Sequence, residues 1–161
     1  MANLNNIFNP LFLKNRELKI ALELLFFAIK DFDRNISFLL KKFGYNKTHF
    51  AVIFLASNNY YLTIKDLLII LDIKKQSLSK IINKLKSDDI IKLKKSKKDK
   101  RNKNIYLTKK GLKIEKKITS NQINNIANAY KNAGKDSING FKKILLNLLS
   151  ETSKTILRNK I

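Results

Sequence analysis

The sequence predicts a mainly α-helical fold that carries one small β-hairpin. Glycine occurs four times and proline once in 161 residues, too few for a protein built from many tight turns. Apolar residues recur at steps of three and four over residues 18–43, which is the spacing of an amphipathic helix. One pair of short alternating segments, residues 90–95 and 104–108, predicts the hairpin.

Composition excludes several classes of protein. Because 44% of the residues are hydrophobic, the chain can bury a core and is not a disordered basic tail. The absence of cysteine rules out disulfides and thiolate metal sites, and one histidine, His49, cannot form a multi-histidine zinc site. We therefore expect no metal and no other cofactor.

Targeting signals are also missing from the sequence. The longest apolar run, residues 18–29, contains Lys19 and Glu23 and is too short to span a bilayer. The first ten residues lack the basic segment that precedes the apolar stretch of a signal peptide. We expect a cytoplasmic protein that does not associate with a membrane.

The positive charge is concentrated in one part of the chain. The formal net charge is +22, and residues 74–117 contain 18 basic and four acidic residues, a net of +14. Lys, Ile and Asn have A/T-rich codons, so genome composition accounts for part of the lysine content. It would have spread the charge more evenly, and the clustering therefore indicates a surface for phosphate.

The first helix, over residues 18–43, is expected to end at Gly44. Its apolar face is wider than a single packing surface requires, because Phe26 and Phe27 lie beside the stripe. We expect it to pack on its own lobe and on a second chain; the alternative is a central helix of a monomer. With the last helix it would form a dimerisation lobe, and the residues expected at its interface are Leu18, Leu22, Leu25, Ile29, Leu145 and Leu148.

The middle of the chain predicts two short helices joined by a tight turn. Asn46 is the expected N-cap of a helix that reaches Ala56, and His49 near its start is assigned a structural role. Thr63 followed by Asp66 is a weak capping box that opens the first short helix. A second, cationic helix follows residues 72–75 and carries one apolar stripe: Leu78, Ile81, Ile82 and Leu85. This arrangement is typical of a helix-turn-helix.

The hairpin follows this second helix directly. A hairpin in this position, after the second helix of a helix-turn-helix, is called a wing. The loop between its strands, residues 96–103, is polar and cationic throughout. Thr108 is the expected N-cap of a long helix in which the asparagines of residues 121–128 favour a bend. After Gly134, either Asp136 or Ser137 is expected to cap a last helix that runs to residue 156.

These motifs resemble those of the MarR family of regulators. Asp99 and Arg101, a strand, then Leu107, Thr108 and Gly111 match that family's wing signature in residue type and spacing. Residues 63–67 resemble the entry to its helix-turn-helix, and residues 76–80 with Leu85 resemble its recognition helix. One departure is Asp89, where the family usually has glycine; aspartate can adopt the left-handed conformation that this turn needs.

The resemblance implies a homodimeric, sequence-specific transcriptional regulator with a winged helix-turn-helix. It implies that residues 1–44 form a dimerisation helix, residues 45–110 the DNA-binding lobe, and residues 111–161 the helices that complete the dimerisation lobe. A dimer of this kind binds a pseudo-palindromic operator in double-stranded DNA. Family members often bind small aromatic anions between the two lobes, and Phe26, Phe50 and Tyr60 are aromatic residues that could line such a site.

The expected DNA contacts follow from side-chain chemistry. Gln76, Ser77 and Lys80 are expected near base edges, with Lys75 and Lys84 on phosphates. On the wing, Arg101 suits a narrow A/T-rich minor groove, and Asp99 would orient its guanidinium, as the matching residues do in the family. Nonspecific phosphate attraction is expected from Lys97 and Lys98.

Two other functions stay open at this point. Only four of the 34 basic residues are arginine, which favours a nonspecific nucleic-acid-binding or nucleoid protein, because bidentate guanine reading needs arginine. A helical interaction protein that does not bind DNA is the third alternative. No catalytic constellation is present in the sequence, so we do not expect an enzyme.

Overall fold

The computed structural model describes residues 13–58, 61–95 and 102–158. In chain order the elements are α1 (Asn15–Lys42), α2 (Lys47–Ser57), α3 (Ile64–Leu71), α4 (Lys75–Ser87), β1 (Ile91–Lys95), β2 (Lys103–Leu107), α5 (Lys109–Leu148) and α6 (Glu151–Arg158). The predicted mainly helical fold with one hairpin is confirmed. The chain divides into two compact units, Met1–Phe38 and Leu39–Ile161.

The junction between α1 and α2 is set by two local capping motifs. Gly44 has φ of +68°, and the amide of Tyr45 donates to the carbonyl of Leu40 at 3.0 Å, so the helix ends in a glycine C-cap as expected. Asn46 caps α2, because its side chain accepts from the amide of His49. In turn, Nδ1 of His49 accepts a hydrogen bond from the backbone amide of Asn46, which completes a capping box.

The helix-turn-helix has the predicted caps and turn. The Thr63 side chain accepts from the Asp66 amide, and the Asp66 carboxylate accepts from the Thr63 amide, so the capping box is present. Asp72 ends α3 in the left-handed region, with φ of 46° and ψ of 50°. Aspartate tolerates this conformation at a small cost, and α4 begins three residues later.

The hairpin pairs β1 with β2 in an antiparallel register, Leu93 opposite Ile105. Asp89 has φ of +56°, so the left-handed turn expected at this departure from the family pattern is confirmed. The core of the second unit lies among the helices and the inner face of the hairpin. Its fully buried side chains are Leu40, Val52, Ile53, Leu62, Leu67, Leu78, Leu85, Ile90, Ile105 and Ile118.

Two expectations for the C-terminal part need correction. The asparagine-rich stretch over residues 121–128, where a bend is expected, stays helical, and the chain leaves the helical conformation at Gly134, with φ of 78° and ψ of 166°, after which the sequence does predict a new helix. The last helix does not run unbroken to residue 156, because the chain leaves the helical conformation at Leu149 and α6 starts anew. The Ser150 hydroxyl accepts from the amide of Ser153 at 3.2 Å, which caps this new start.

Candidate nucleic-acid interface

Helix α4 has two faces of opposite character. Leu78, Ile82 and Leu85 are buried and Ile81 is half-buried, so the apolar stripe expected from the sequence is confirmed. The opposite face is exposed and carries ammonium, amide and hydroxyl groups. Its residues are Lys75, Gln76, Ser77, Lys80 and Lys84. Side chains with these groups can bond base edges and phosphates in a major groove.

The N-terminal end of α4 favours a negative charge. Lys74 is the N-cap, with an extended backbone and no side-chain hydrogen bond that caps the first-turn amides. The helix dipole places partial positive charge at the same end, and Lys75 adds a full charge there. A backbone phosphate would therefore find favourable electrostatics at the start of this helix.

The hairpin is fixed to the helix-turn-helix at its base. The amide of Ile105 donates to the carbonyl of Leu62 at 2.8 Å, which ties β2 to the residue before the Thr63 cap. At the base of the hairpin, beside the end of α4 and the start of α5, the amide of Thr108 donates to the Ile90 carbonyl at 2.9 Å. These bonds hold the two strands beside α3 and α4, so the hairpin and the exposed face of α4 belong to one lobe.

The outer face of the hairpin carries a cation held by an aromatic ring. Lys92 and Lys94 lie opposite Tyr106 and Asn104 in the register, and Lys94 Nζ lies 5.7 Å from the centre of the Tyr106 ring. The contact restrains a charged side chain on a strand that leads to the loop. Lys97, Lys98, Asp99 and Arg101, the predicted wing contacts, lie outside the described residues.

An unexpected network joins the end of α4 to the α1–α2 junction. The Tyr45 hydroxyl donates to Asp88 Oδ2 at 2.9 Å, and Lys84 Nζ lies 3.1 Å from Oδ1 and 3.0 Å from Oδ2. The Lys84 hydrogen bond lowers the pKa of Asp88, with the Tyr45 bond adding to it, while burial opposes. Burial and the bond to Asp88 raise the pKa of Tyr45, so its hydroxyl stays protonated.

This network was missed by sequence reasoning. Tyr45 and Asp88 are 43 positions apart, and neither residue belongs to a periodic or spaced motif. Lys84 was assigned to a phosphate because it lies on the exposed face of α4, and its exposure is confirmed. Its ion pair with Asp88 joins residues four positions apart at the end of α4, and that (i, i+4) spacing is the signal from which the pair could have been found.

His49 has the structural role expected for it. Its ring stacks on Tyr45 with centroids 5.2 Å apart, and its Nδ1 lies 2.7 Å from Asn46 Oδ1 and 3.3 Å from the Asn46 amide nitrogen. Burial lowers the pKa of His49, and the positive charge of Lys84 lowers it further against the opposing effect of Asp88. The neutral imidazole is therefore favoured at the start of α2.

Large apolar side chains are exposed on two separate faces. In the first unit, α1 exposes Leu18, Leu22 and Ile29, with Leu22 at 68% and Ile29 at 62%, while Leu25 is half-buried. In the second unit, the end of α5 exposes Leu145 and Leu148. Exposed apolar surfaces of this extent mark contact sites for another molecule.

A cavity of about 470 Å³ lies in the second unit between α3 and α6. Its lining residues are Asp66, Ile69, Glu151, Thr152, Thr155 and Ile156. Two carboxylates in the wall disfavour an aromatic anion. Of the aromatic residues expected to line an effector site, Phe26 is exposed and Phe50 is half-buried against Phe54, whereas Tyr60 lies outside the described residues.

Residues 13–58, 61–95 and 102–158 contain neither a cluster of metal ligands nor a helix that could cross a membrane. That part of the chain holds no group of three His, Cys, Asp or Glu side chains suited to a metal ion. None of its helices combines the length and the hydropathy required to cross a bilayer.

Comparison with known proteins finds similarity to transcriptional regulators. Residues 39–102, from the end of α1 into the hairpin, match the MarR family. The HTH-type transcriptional regulator PetP from Rhodobacter capsulatus is 29% identical over 135 residues, which cover 84% of this chain and 81% of PetP.

Solved structures share the fold. A cysteine-to-serine mutant of MarR from E. coli, complexed with operator DNA, superposes with a TM-score of 0.57 at 19% identity, over 88% of this chain and 100% of that one. NadR in complex with 4-hydroxyphenylacetate gives a TM-score of 0.65 at 21% identity, over 77% of this chain and 88% of NadR. The winged helix-turn-helix predicted from the sequence is thereby confirmed as the fold.

Proposed function

We propose that this chain is a member of the MarR family of winged helix-turn-helix transcriptional regulators and that it binds a pseudo-palindromic operator as a homodimer. Proteins of this family regulate transcription and are not enzymes. In the proposed complex α4 enters the major groove and the hairpin reaches the adjacent minor groove. Two-fold symmetry of the protein then requires half-sites about one helical turn apart.

The observation that carries the proposal is the exposed polar and cationic face of α4 beside a cationic hairpin in one lobe. On this face Gln76, Ser77 and Lys80 would contact bases, and Gln76 can bond adenine through N6 and N7. Lys75 at the start of the helix would bind a phosphate, supported by the dipole. Lys84 was expected on a phosphate as well, and its ammonium forms an ion pair with Asp88.

The wing would read the minor groove. Arg101 would insert its guanidinium where the groove is narrow and A/T-rich, Asp99 would orient it, and Lys97 and Lys98 would attract phosphates. These roles are supported by the match of the sequence to the family signature and by the strands, which end at Lys95 and resume at Lys103. Changing Arg101 to Ala should weaken binding most at operators with A/T-rich flanks.

Dimerisation is supported by the exposed apolar faces. Leu18, Leu22, Leu25 and Ile29 on α1 would contact a second chain together with Leu145 and Leu148 on α5. An interface of this kind removes side chains from water that the single chain leaves exposed, at about 25 cal/mol for each Å² of apolar surface. The division into a first helix, a DNA-binding lobe and C-terminal helices follows from this arrangement.

The test is a binding titration on two duplexes. Genome-wide recovery of bound fragments supplies the operator, and a scrambled duplex of equal length is the control. A regulator should prefer the operator by about 10³-fold or more. If each dimer neutralises about 6 to 10 phosphates, affinity should fall about 10³- to 10⁵-fold between 50 and 200 mM salt.

A nonspecific nucleic-acid-binding protein is the second candidate, favoured by the ratio of 30 lysines to four arginines. Lysine is a point charge that binds phosphate without fixed geometry, whereas arginine reads guanine in a bidentate manner. A preference for the operator below about tenfold would favour this second function. Failure to bind any duplex at low salt would contradict both.

We also propose that the protein is cytoplasmic and that a small aromatic molecule modulates its binding to the operator. Support comes from NadR, which shares the fold and was solved with 4-hydroxyphenylacetate. The cavity between α3 and α6 is lined by Asp66 and Glu151 and does not suit an anion of that type, so the effector would bind elsewhere. A screen of aromatic acids for release of labelled operator would test the proposal.

A further inference from the structure

We propose that Asp88 forms a clasp with Tyr45 and Lys84 that fixes the end of α4 and makes Lys84 a positioning residue instead of a phosphate contact. The proposal rests on the proposed function and assigns a different role to one residue of that site. It separates the lysines of α4 into two groups with different measurable effects on DNA binding.

The Asp88 clasp is held by two side chains from different elements. Tyr45 donates to Oδ2 at 2.9 Å, and the Lys84 ammonium lies within 3.1 Å of both carboxylate oxygens. The Asp88 side chain is 25% exposed and that of Lys84 is 50% exposed. A carboxylate that is already hydrogen-bonded by a fixed hydroxyl is a preorganised partner for the lysine.

Tyr45 itself is held in place by its surroundings. It directly follows Gly44 at the end of α1, and it is only 8% exposed. Its ring stacks between Phe43, with centroids 6.4 Å apart, and His49, with centroids 5.2 Å apart. These contacts restrain the ring, and its hydroxyl donates to the carboxylate of Asp88.

The backbone of the same turn is tied to α5. Lys110 Nζ donates to the carbonyl of Asp88 at 2.7 Å, and the Thr108 hydroxyl donates to the carbonyl of Asp89 at 2.6 Å. The end of α4 is thus fixed from the α1–α2 junction on one side and from the start of α5 on the other. Lys84 belongs to this arrangement through its ion pair.

Lys80 provides the contrast on the same helix. It lies four residues before Lys84 on the same exposed face, and it forms no ion pair with any of the described residues. Its ammonium is therefore available to a phosphate or a base edge, while that of Lys84 is occupied. The two lysines differ in partner and not in helix, face or charge.

Specific and nonspecific binding depend on the clasp in different ways. Bonds to base edges need α4 placed within a fraction of an ångström, so a loosened end of α4 weakens operator binding. Attraction to phosphates depends on the number of free cations and is insensitive to such a displacement. The clasp should therefore raise operator affinity. It should also prevent Lys84 of each chain from neutralising a phosphate, so that this lysine does not contribute to the salt dependence.

Tyr45→Phe tests the positioning role without changing any charge. It removes one hydroxyl and retains the ring stack, so the folded lobe is expected to survive, which circular dichroism and urea unfolding would verify. Operator affinity should fall by about 10-fold or less, a fraction of the free energy of one hydrogen bond to a charged group, because the lost bond loosens α4 and removes no contact to DNA. Affinity for a scrambled duplex and its salt dependence should stay unchanged; an equal loss on both duplexes, or no loss on either, would overturn the positioning role.

Asp88→Asn and Lys84→Met test whether the ion pair with Asp88 keeps Lys84 from binding a phosphate. Phosphate binding does not depend on base sequence, so the test can use a duplex of any sequence. Asp88→Asn should free Lys84, which raises affinity for a scrambled duplex and steepens the salt slope by about 0.9 for each phosphate gained. In the Lys84→Met background the same change should leave the slope unaltered. Asp136→Asn, an equal charge change at an exposed residue of α5 outside the helix-turn-helix, is the control for net charge.

The final comparison is between the two lysines. Lys80→Met should reduce the salt slope by about 0.9 for each lost contact, whereas Lys84→Met should leave it unchanged. Equal reductions would show that Lys84 binds phosphate, which contradicts the clasp. These slopes are measured on a scrambled duplex, so they test the role of Lys84 independently of operator preference. Equal slopes for the two variants would contradict the clasp even if the protein prefers its operator. Loss of operator preference would contradict the proposed function even if the slopes differ as expected.

Discussion

Gly111 shows how one residue fixes the contact between the hairpin and α5. A Cβ atom built at this position would collide with the carbonyl oxygen of Ile90, which accepts a hydrogen bond from Thr108 and cannot move freely. We expect Gly111→Ala to lower the free energy of unfolding by about 1–3 kcal/mol, because backbone would have to shift. Urea unfolding at a fixed protein concentration measures the change.

Gly140 is the matched control on the same helix. No atom lies within 4 Å of a Cβ atom built there, and the residue lies in helical structure. Gly140→Ala should raise the free energy of unfolding by up to about 1 kcal/mol through helix propensity. If both alanines raise stability, the packing of Gly111 against Ile90 is not as tight as the geometry indicates.

His49 should give the protein a pH dependence near neutrality. Its pKa is lowered from about 6.5 in the folded chain, mainly by burial, so the unfolded chain binds the proton more readily. The stability this provides is fully present above pH 6.5 and is lost as the pH falls from 6.5 towards the lower folded pKa. The free energy of unfolding should therefore decrease between pH 7.5 and 5.5, which urea titrations at several pH values measure.

His49→Gln separates this titration from the role in the capping box. Glutamine is a preferred residue at the third position of a helix in that motif, and it does not titrate. Because His49 is the only histidine of the chain, the pH dependence over this range should be much smaller in the variant. An unchanged slope would assign the effect to other groups.

At the scale of elements, the bend in α5 depends on a glycine. Gly134 has φ of 78° and ψ of 166°, a region that side-chain-bearing residues almost never occupy. Gly134→Ala should lower the free energy of unfolding by about 1–3 kcal/mol with unchanged helical ellipticity. A more stable variant with increased ellipticity would mean that α5 becomes one straight helix, and Gly140→Ala again serves as control.

The elements also show what a sequence can predict. Gly44, Asn46, Thr63 and Thr108 were identified as caps because a cap bonds an amide or carbonyl only a few residues away. The apolar stripe of α4 was predicted for a similar reason, since helical period alone determines which side chains share a face. Local signals therefore gave the helix-turn-helix and the hairpin.

Features that depend on tertiary contacts were not predicted. The break at Leu149 contains neither glycine nor proline, and the bend expected at the asparagines is absent, whereas the helix boundary at Gly134 was predicted. The hydrogen bond from Tyr45 to Asp88 joins residues 43 positions apart and has no sequence pattern. For the candidate site, the exposed face of α4 was predicted and the partner of Lys84 was not.

At the scale of the whole molecule, charge and apolar surface lie on different parts of the chain. The stretch 74–117 has a net charge of +14, while most of the exposed leucines and isoleucines lie on α1 and on the part of α5 after residue 117. Phosphate attraction and subunit association can therefore be altered independently. Substitutions on α1 should change the oligomeric state first and DNA binding only as a consequence.

The double variant Leu22→Glu and Ile29→Glu should be a monomer. Both side chains are more than 60% exposed in the single chain, so glutamates there leave its own core intact. Two charges would have to be desolvated in the interface of each chain, which opposes association. Light scattering should give the mass of one chain, and operator affinity should fall because each lobe then binds its half-site alone, without the gain from linking two sites.

Ile69→Glu is the matched control for this substitution. Ile69 lies on α3 and is 54% exposed, so the change introduces the same charge at an apolar surface residue that is not assigned to the proposed interface. The control should remain dimeric by light scattering. If the double variant stays dimeric while it remains folded, the subunits associate through another surface, and the dimerisation role of α1 is wrong.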